Sequence, residues 1–297
     1  MSAAFDPTAP LTASGNLRRR RVVNLLAEGA ANGAALLAVA VLGIVIASVA
    51  VRGAGALSLD FLIKSPPQFG GAGGGIAPAI IGTAIIVAMA TLIAVPLGVL
   101  VAIYLTELAG ARTAATIRLA LDLLNGLPSI VIGLFAFGLL VVGHHQSGFA
   151  GSVALSVIMV PLVARAAQEV LTLVPQHTRD AADALGVSRW RTIVGVVLPS
   201  ALGGIVTGTV LAIARAAGET APLIFTTSIV DNHVHWNPFS QALANIPVSI
   251  FTLSEQADPS GFQRAWGAGL ILLTFILVAN VAARSLAARS RSKLGVR

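Results

Sequence analysis

Long stretches without a single charged side chain constrain this sequence more than any other feature. Ala30–Val51, Ile76–Thr106, Leu123–Gly143, Ser147–Ala164 and Ala265–Ala283 are all uncharged. Each approaches or exceeds the ~18–20 residues with which a helix crosses ~30 Å of hydrocarbon. A sixth run, from about Ile193 to Val230, is interrupted only by Arg215 and Glu219 until it nears its end. Backbone polar groups in lipid must be satisfied within the chain, and a helix does so segment by segment. The expectation is therefore an all-α, polytopic bundle of six transmembrane helices with little outside the bilayer. Composition agrees, since only 10% of residues are charged, against about 25% in a soluble domain.

Arg18–Arg21 precedes the first run, as in a signal peptide. The run is too long for an apolar signal region of roughly 7–15 residues, and no Ala-x-Ala site leads into a soluble domain. Retention as a membrane helix is the expectation. With the N-terminus inside, fifteen of the 19 basic residues fall on the cytoplasmic side: Arg18–Arg21, Arg112, Arg118, Arg165, Arg179, Arg189, Arg191 and those from Arg284 to Arg297. Arg52, Lys64 and Arg264 fall outside, and Arg215 stays in the membrane. This asymmetry predicts that both termini are cytoplasmic. The net charge of +7 then needs no nucleic acid, because basic residues flanking spans meet anionic membrane lipid.

The organisation that follows is a cytoplasmic tail over 1–29, a first transmembrane helix over 30–51 and an extracytoplasmic linker over 52–75. A core over 76–284 holds five more helices, and a basic tail covers 285–297. Residues 1–17 are small and polar and are expected to lack order. The linker holds Pro66, Pro67 and a glycine cluster from Gly70 to Gly75, which reads as a flexible connection rather than a phosphate loop. Pro96, Pro128, Pro161 and Pro222 should kink or interrupt four spans. Gly133, Gly138, Gly203, Gly204 and Gly208 permit close helix approach, within the chain or in an oligomer.

Enzyme motifs are missing. There is no His-Glu-x-x-His and no Gly-x-Ser-x-Gly turn. Neither Lys64 nor Lys293 completes a P-loop, so the chain is expected to be non-catalytic and to bind no cofactor. Without cysteine there are no disulfides or thiolate metal sites. Asp231, His233 and His235 lack a remote fourth ligand, and His144 and His145 share a tight turn, so no metal is expected.

Two places carry chemistry. Arg215 and Glu219, spaced by four, form the one opposite-charge pair deep in an apolar run, with Gly218 and Pro222 suggesting a helix break. An intramembrane charge costs about 2.5–3.5 kcal/mol on insertion scales and normally faces a partner or aqueous cavity. The pair either packs the bundle or lets Arg215 meet an anion while Glu219 and the adjacent Thr220 tune the site. Arg165 and Glu169 repeat the spacing at the inner end of the fourth span, as an anchor or as part of the inner mouth.

The second place is the polar loop from Arg179 to Pro199. Asp180 to Leu185 should form a short helix with Ala181, Ala184 and Leu185 on one apolar edge. Gly186 should bend it, Trp190 to Leu198 should form a second helix, and Pro199 should end the segment. By periodicity alone this is an interfacial amphipathic helix.

At these residues the chain resembles the permease subunits of ABC importers, whose loop runs Glu-Ala-Ala, three residues, Gly, nine residues, Ile-x-Leu-Pro. Here the same positions hold Asp180, Ala181, Ala182, Gly186, Val196, Leu198 and Pro199. Over roughly residues 70 to 285 it is similar to phosphate importer permeases of the PstA type. The carrying stretches are Gly74 to Thr83, Asn125 to Phe135 and Ala214 to Leu223. The resemblance implies the MetI-like fold of a type I ABC importer permease in a prokaryotic cell membrane. It also implies coupling to an ATPase through Asp180, Ala181, Ala182, Leu185 and Gly186, and phosphate passage at Arg215, Arg165 and Glu219. The implied partners are a second permease of the PstC type, two copies of an ATP-binding subunit of the PstB type and an extracytoplasmic phosphate-binding protein of the PstS type. The loop does not choose among oxyanions, so a sulfate or molybdate permease stays open. An ATP-independent transporter or channel would leave the loop unexplained.

Overall fold

In a computed structural model, residues 17–67, 73–228, 233–255 and 258–293 are described, and every regular element among them is helical. Five stretches are long and apolar enough to cross a membrane: Arg19–Ala54, Ala77–Leu108, Gly148–Thr172, Arg189–Ala216 and Pro259–Ser285. A sixth exists if Ala111–Gly126 and Ser129–Leu140, bent by 97°, are counted as one span. The six-helix expectation holds in this form, with the third crossing broken rather than straight.

The chain divides into two units, Met1–Val49 and Ala50–Arg297. In the first, helix α1 (Leu17–Ala54) begins well before the uncharged run, at the arginine cluster. Residues 1–16 lie outside the described residues.

The second unit begins with the last residues of α1 and then a short helix, α2 (Leu59–Ile63), where the expected flexible linker carries order. Ser58 accepts a hydrogen bond from the Phe61 N–H, and the N–H groups of Gly75 and Ile76 donate to the carbonyls of Ser65 and Phe61. A Cβ at Gly75 would lie 2.4 Å from Phe61 O, so the chain passes there only without a side chain. Residues 68–72, with Gly70 and Gly71 of the glycine cluster, lie outside the described residues.

Helix α3 (Ala77–Ile103) runs on into a π turn, Tyr104–Leu108. Helices α4 (Ala111–Gly126) and α5 (Ser129–Leu140) meet at Leu127 and Pro128. Leu127 is extended there, as the residue before proline tends to be. Helix α6 (Gly148–Thr172) starts at Ser147, whose hydroxyl accepts from Ala150 N–H. Pro96 and Pro161 interrupt nothing, because α3 and α6 continue through them. Pro128 and Pro222 do sit at breaks.

The core is the packing of α3 on α6, with α9 (Leu198–Ala216) across α6. Ile86, Ala90, Ala94, Leu155 and Met159 are completely buried among them. Small residues set the separation: an added Cβ would lie 2.6 Å from Val170 at Gly204 and 2.3 Å from Ala166 at Gly208. Gly138 shows no such approach, so among these glycines close packing within the chain accounts for some and not for that one. Water release drives little association in lipid, so these contacts supply the attraction. Helix α10 (Ala221–Thr226), α11 (Ile246–Glu255) and α12 (Pro259–Lys293) complete the unit.

Candidate functional site

The polar loop folds into helix α7 (Gln176–Ala184), then α8 (Arg189–Thr192). Gly186 joins them with φ +72°, Val187 N–H donating to Ala182 O at 3.1 Å and Gly186 N–H to Asp183 O at 2.9 Å. That hydrogen-bond pair is a Schellman ending, which favours glycine at the left-handed position. The expected bend is present. Pro199, by contrast, ends nothing: α8, a π turn (Ile193–Val197) and α9 form one continuous rod, with Pro199 in the first turn of α9. Proline is tolerated there because its missing N–H lies in a first turn, and the π turn before it absorbs the register.

Of the loop's apolar residues, Ala182 is buried, whereas Ala181, Ala184, Leu185 and Trp190 are exposed. Leu185 is 82% exposed. Asp180 accepts from Gln176 Nε2 at 3.2 Å within α7.

What the sequence reading missed is Glu107. It lies in the π turn ending α3, only 7% exposed, and its carboxylate receives Arg179 from across the loop. Arg179 Nη2 donates to Glu107 Oε1 at 2.8 Å and to Leu171 O at 3.0 Å, while its Nη1 donates to Val174 O at 2.6 Å. The Arg179 side chain is 14% exposed. Arg189 donates to the Glu107 carbonyl. Removing one partner of such a buried, multiply bonded pair typically costs about 3–5 kcal/mol. The available signal was an acid closing an otherwise uncharged span, facing an arginine-containing loop distant in sequence. These residues border a crevice of about 540 Å³.

Arg215 and Glu219 sit at a second break. Helix α9 stops at Ala216 and α10 starts at Ala221, so the two are not on one continuous helix face as the spacing suggested. They still approach, Arg215 Nε lying 3.8 Å from Glu219 Oε1, beyond hydrogen-bonding range. The Arg215 side chain is 58% exposed and Glu219 19%. Both line a cavity of about 250 Å³ with Asn125, Leu127, Pro128 and Ser129, where α4 gives way to α5. Another cavity places them against Ile276 and Asn280 of α12. The two broken helices pack together, since a Cβ at Gly133 would lie 2.6 Å from Pro222 Cα and Phe137 meets Phe225 edge-on at 6.3 Å. Thr220 precedes α10 and accepts from Leu223 and Ile224 N–H through its carbonyl, but lines neither cavity.

Arg165 does not pair with Glu169. It forms an ion pair with Asp122 of α4, and Glu169 is exposed. Sequence spacing suggested the neighbour on the same helix, and the tertiary packing of α4 on α6 supplied a different acid. Arg165 follows Ile158, which lines the Arg215 cavity, by seven residues. That displaces it by about 10 Å along α6.

The histidines form no metal centre among the described residues, where no group of three or more candidate ligands occurs. Asp231 lies outside them.

The family described as binding-protein-dependent transport system inner membrane component matches residues 94–292. The chain is 40% identical over 220 residues to phosphate transport system permease protein PstA 1 of Mycobacterium tuberculosis (strain CDC 1551 / Oshkosh), covering 73% of this chain and 71% of that one. It is 36% identical over 286 residues to phosphate transport system permease protein PstA of Xylella fastidiosa (strain 9a5c), covering 94% and 98%. Among solved structures, an inward-facing MetNI methionine ABC transporter aligns with TM-score 0.55 at 18% identity, over 73% of this chain and 94% of that one. A bacterial alginate ABC transporter, in complex with a periplasmic protein bound to an alginate pentasaccharide, gives 0.58 at 14% identity, over 92% and 99%. These likenesses establish a common fold.

Proposed function

The chain belongs to the family of binding-protein-dependent transport system inner membrane components, and on that premise we propose that it is the permease subunit of an ATP-driven importer of inorganic phosphate. The observation that carries this reading is Arg215, an arginine held only loosely by Glu219 where two helix breaks border one cavity. Phosphate presents oxygens that the guanidinium fork matches. A cation with a distant counter-ion can accept an anion and let it go, which conduction requires. Glu219 limits how tightly the anion is held. Arg165, paired with Asp122 nearer the inner end of α6, contributes at the inner mouth, and Thr220 shapes the break. The phosphate permeases among its relatives support this cargo over sulfate or molybdate.

The chain itself is non-catalytic. Its coupling loop, with Asp180, Ala181, Ala182, Leu185 and Gly186, docks on a separate ATP-binding subunit of the PstB type, present in two copies. Exposed Leu185 and Trp190 supply apolar surface for that contact. A second permease of the PstC type forms the other half of the pathway, and a PstS-type protein delivers phosphate from outside. The protein sits as a multi-pass component of the inner membrane with both termini cytoplasmic, following its basic residues.

The test is uptake of labelled phosphate by a strain lacking this chain, complemented with wild type or with Arg215→Ala, with excess sulfate as competitor. Wild type restores uptake that sulfate leaves intact, and Arg215→Ala does not. Uptake abolished by sulfate would reassign the cargo. Uptake that persists without the ATP-binding subunit would remove the chain from ATP-driven transport.

A further inference from the structure

We propose that Glu107 is a positioning residue for coupling, forming with Arg179 the joint through which motion of the loop reaches three spans at once. This inference rests on the reading of the loop as the contact for an ATPase. Helix α7 is short, and Ala182 is its single buried residue. Apolar packing alone would leave it free to tilt without moving anything else. Its connection to the bundle is polar and runs through the Arg179–Glu107 pair.

Three links converge there. Arg179 at the middle of α7 binds both Glu107 oxygens, with Nε at 3.3 Å from each and Nη2 at 2.8 Å from Oε1. The same guanidinium holds the carbonyls of Leu171 and Val174, which close the end of α6. Leu171 lies in the last turn of α6 and Val174 just beyond it, where a cation is favourably placed. Arg189, at the start of the α8–α9 rod, donates to the backbone carbonyl of Glu107 itself. The inner ends of α3 and α9 are therefore tied through Glu107, and that of α6 through Arg179, to the segment that would be pushed.

Burial makes the connection stiff. A guanidinium clamped on two carboxylate oxygens and two carbonyls has a fixed orientation, unlike an exposed pair that exchanges with water. Glu107 also lies in a π turn, and the α8–α9 rod has its own π turn at Ile193–Val197. Both border the same crevice. Such turns are places where a helix can shift register. A stiff joint between two of them delivers displacement as a rigid-body tilt of the spans rather than a local bend.

The experiment uses the complete importer, purified and reconstituted with its ATP-binding subunits and phosphate-loaded binding protein. Glu107→Gln keeps shape and removes charge. It is expected to retain the ATP-binding subunit at wild-type stoichiometry and basal ATP hydrolysis within twofold. Stimulation of hydrolysis by the loaded binding protein and labelled phosphate uptake should each fall at least tenfold. Arg179→Lys, which keeps charge but loses the fork, should show the same separation and stands in if Glu107→Gln does not assemble. Uptake within twofold of wild type overturns the proposal. So does uptake lost only in step with lost ATP-binding subunit, or failure of both variants to assemble, since either makes the pair a structural clamp. Wild-type uptake indifferent to ATP would instead sink the importer reading itself. A wild type that needs ATP, beside a normal Glu107→Gln, sinks only the joint.

Discussion

Two arginine–glutamate pairs in this molecule are chemically alike and physically opposite. At the loop between α6 and α9, Arg179 is 14% exposed, and Glu107 and two carbonyls engage four of its five N–H donors. At the α9–α10 break, Arg215 is 58% exposed, and its carboxylate partner stands 3.8 Å away with no hydrogen bond closing the gap. The first arginine has most of its donors taken and is held in one orientation, with little left to receive a ligand. The second keeps donors free beside a cavity and can receive an anion but holds nothing rigid. Residue type and separation from a glutamate do not distinguish such roles; how completely the guanidinium is engaged does.

Breaking the open pair should have the largest effect on transport and the smallest on folding. Arg215→Ala is expected to reduce labelled phosphate uptake by about a hundredfold or more, while membrane level and thermal midpoint stay near wild type. Exposed pairs contribute only about 0–1 kcal/mol, so stability should hardly change. Uptake near wild type would return the pair to a packing role.

Next comes the loop that the closed pair anchors. Gly186→Leu forces a branched side chain into a left-handed conformation, which costs about 1–2 kcal/mol. It also adds bulk beside exposed Leu185. Uptake should fall at least tenfold, with insertion intact on membrane fractionation; normal transport would refute the docking geometry.

A smaller effect separates Asp122 from Glu169. Arg165 pairs with Asp122 in a partly exposed setting, so Asp122→Asn should lower uptake or thermal stability modestly, within about a factor of three. Glu169→Gln should change neither. The reverse ranking would restore the pairing suggested by sequence spacing.

The smallest effect lies at the start of α12. The Ser260 hydroxyl and N–H, with Gly261 N–H and the charge of Arg264, hold the Asp258 carboxyl below the usual carboxylate range despite some desolvation. A carboxyl depressed on folding adds stability above its unfolded pKa of about 3.9 and loses it as pH falls through the lower folded value. The thermal midpoint of wild type in detergent should drop between about pH 4 and pH 3 by slightly more than that of Asp258→Asn. Identical profiles would show that this cap contributes nothing.

Much of this architecture was legible from the runs of uncharged residues, because lipid leaves a chain few ways to satisfy its backbone. The bend at Gly186 was legible too, since a short polar helix needs an ending and glycine supplies one. The pairings were harder to read. Arg165 found Asp122 rather than Glu169, and Arg179 found Glu107, because ion pairs in a bundle form between helices whose relative placement periodicity does not encode. Pro96 and Pro161 looked like Pro128 and Pro222 in sequence, yet only the latter two mark breaks. Pro128 precedes a new helix at a 97° turn, and Pro222 lies in the first turn of α10, just after the break that follows Ala216.

The most direct measurement follows ATP hydrolysis and labelled phosphate uptake together in the reconstituted importer carrying Arg215→Ala. Hydrolysis still stimulated by loaded binding protein, with phosphate uptake lost, is the expected result. Uptake and hydrolysis both at wild-type levels would contradict a role for Arg215 in the pathway.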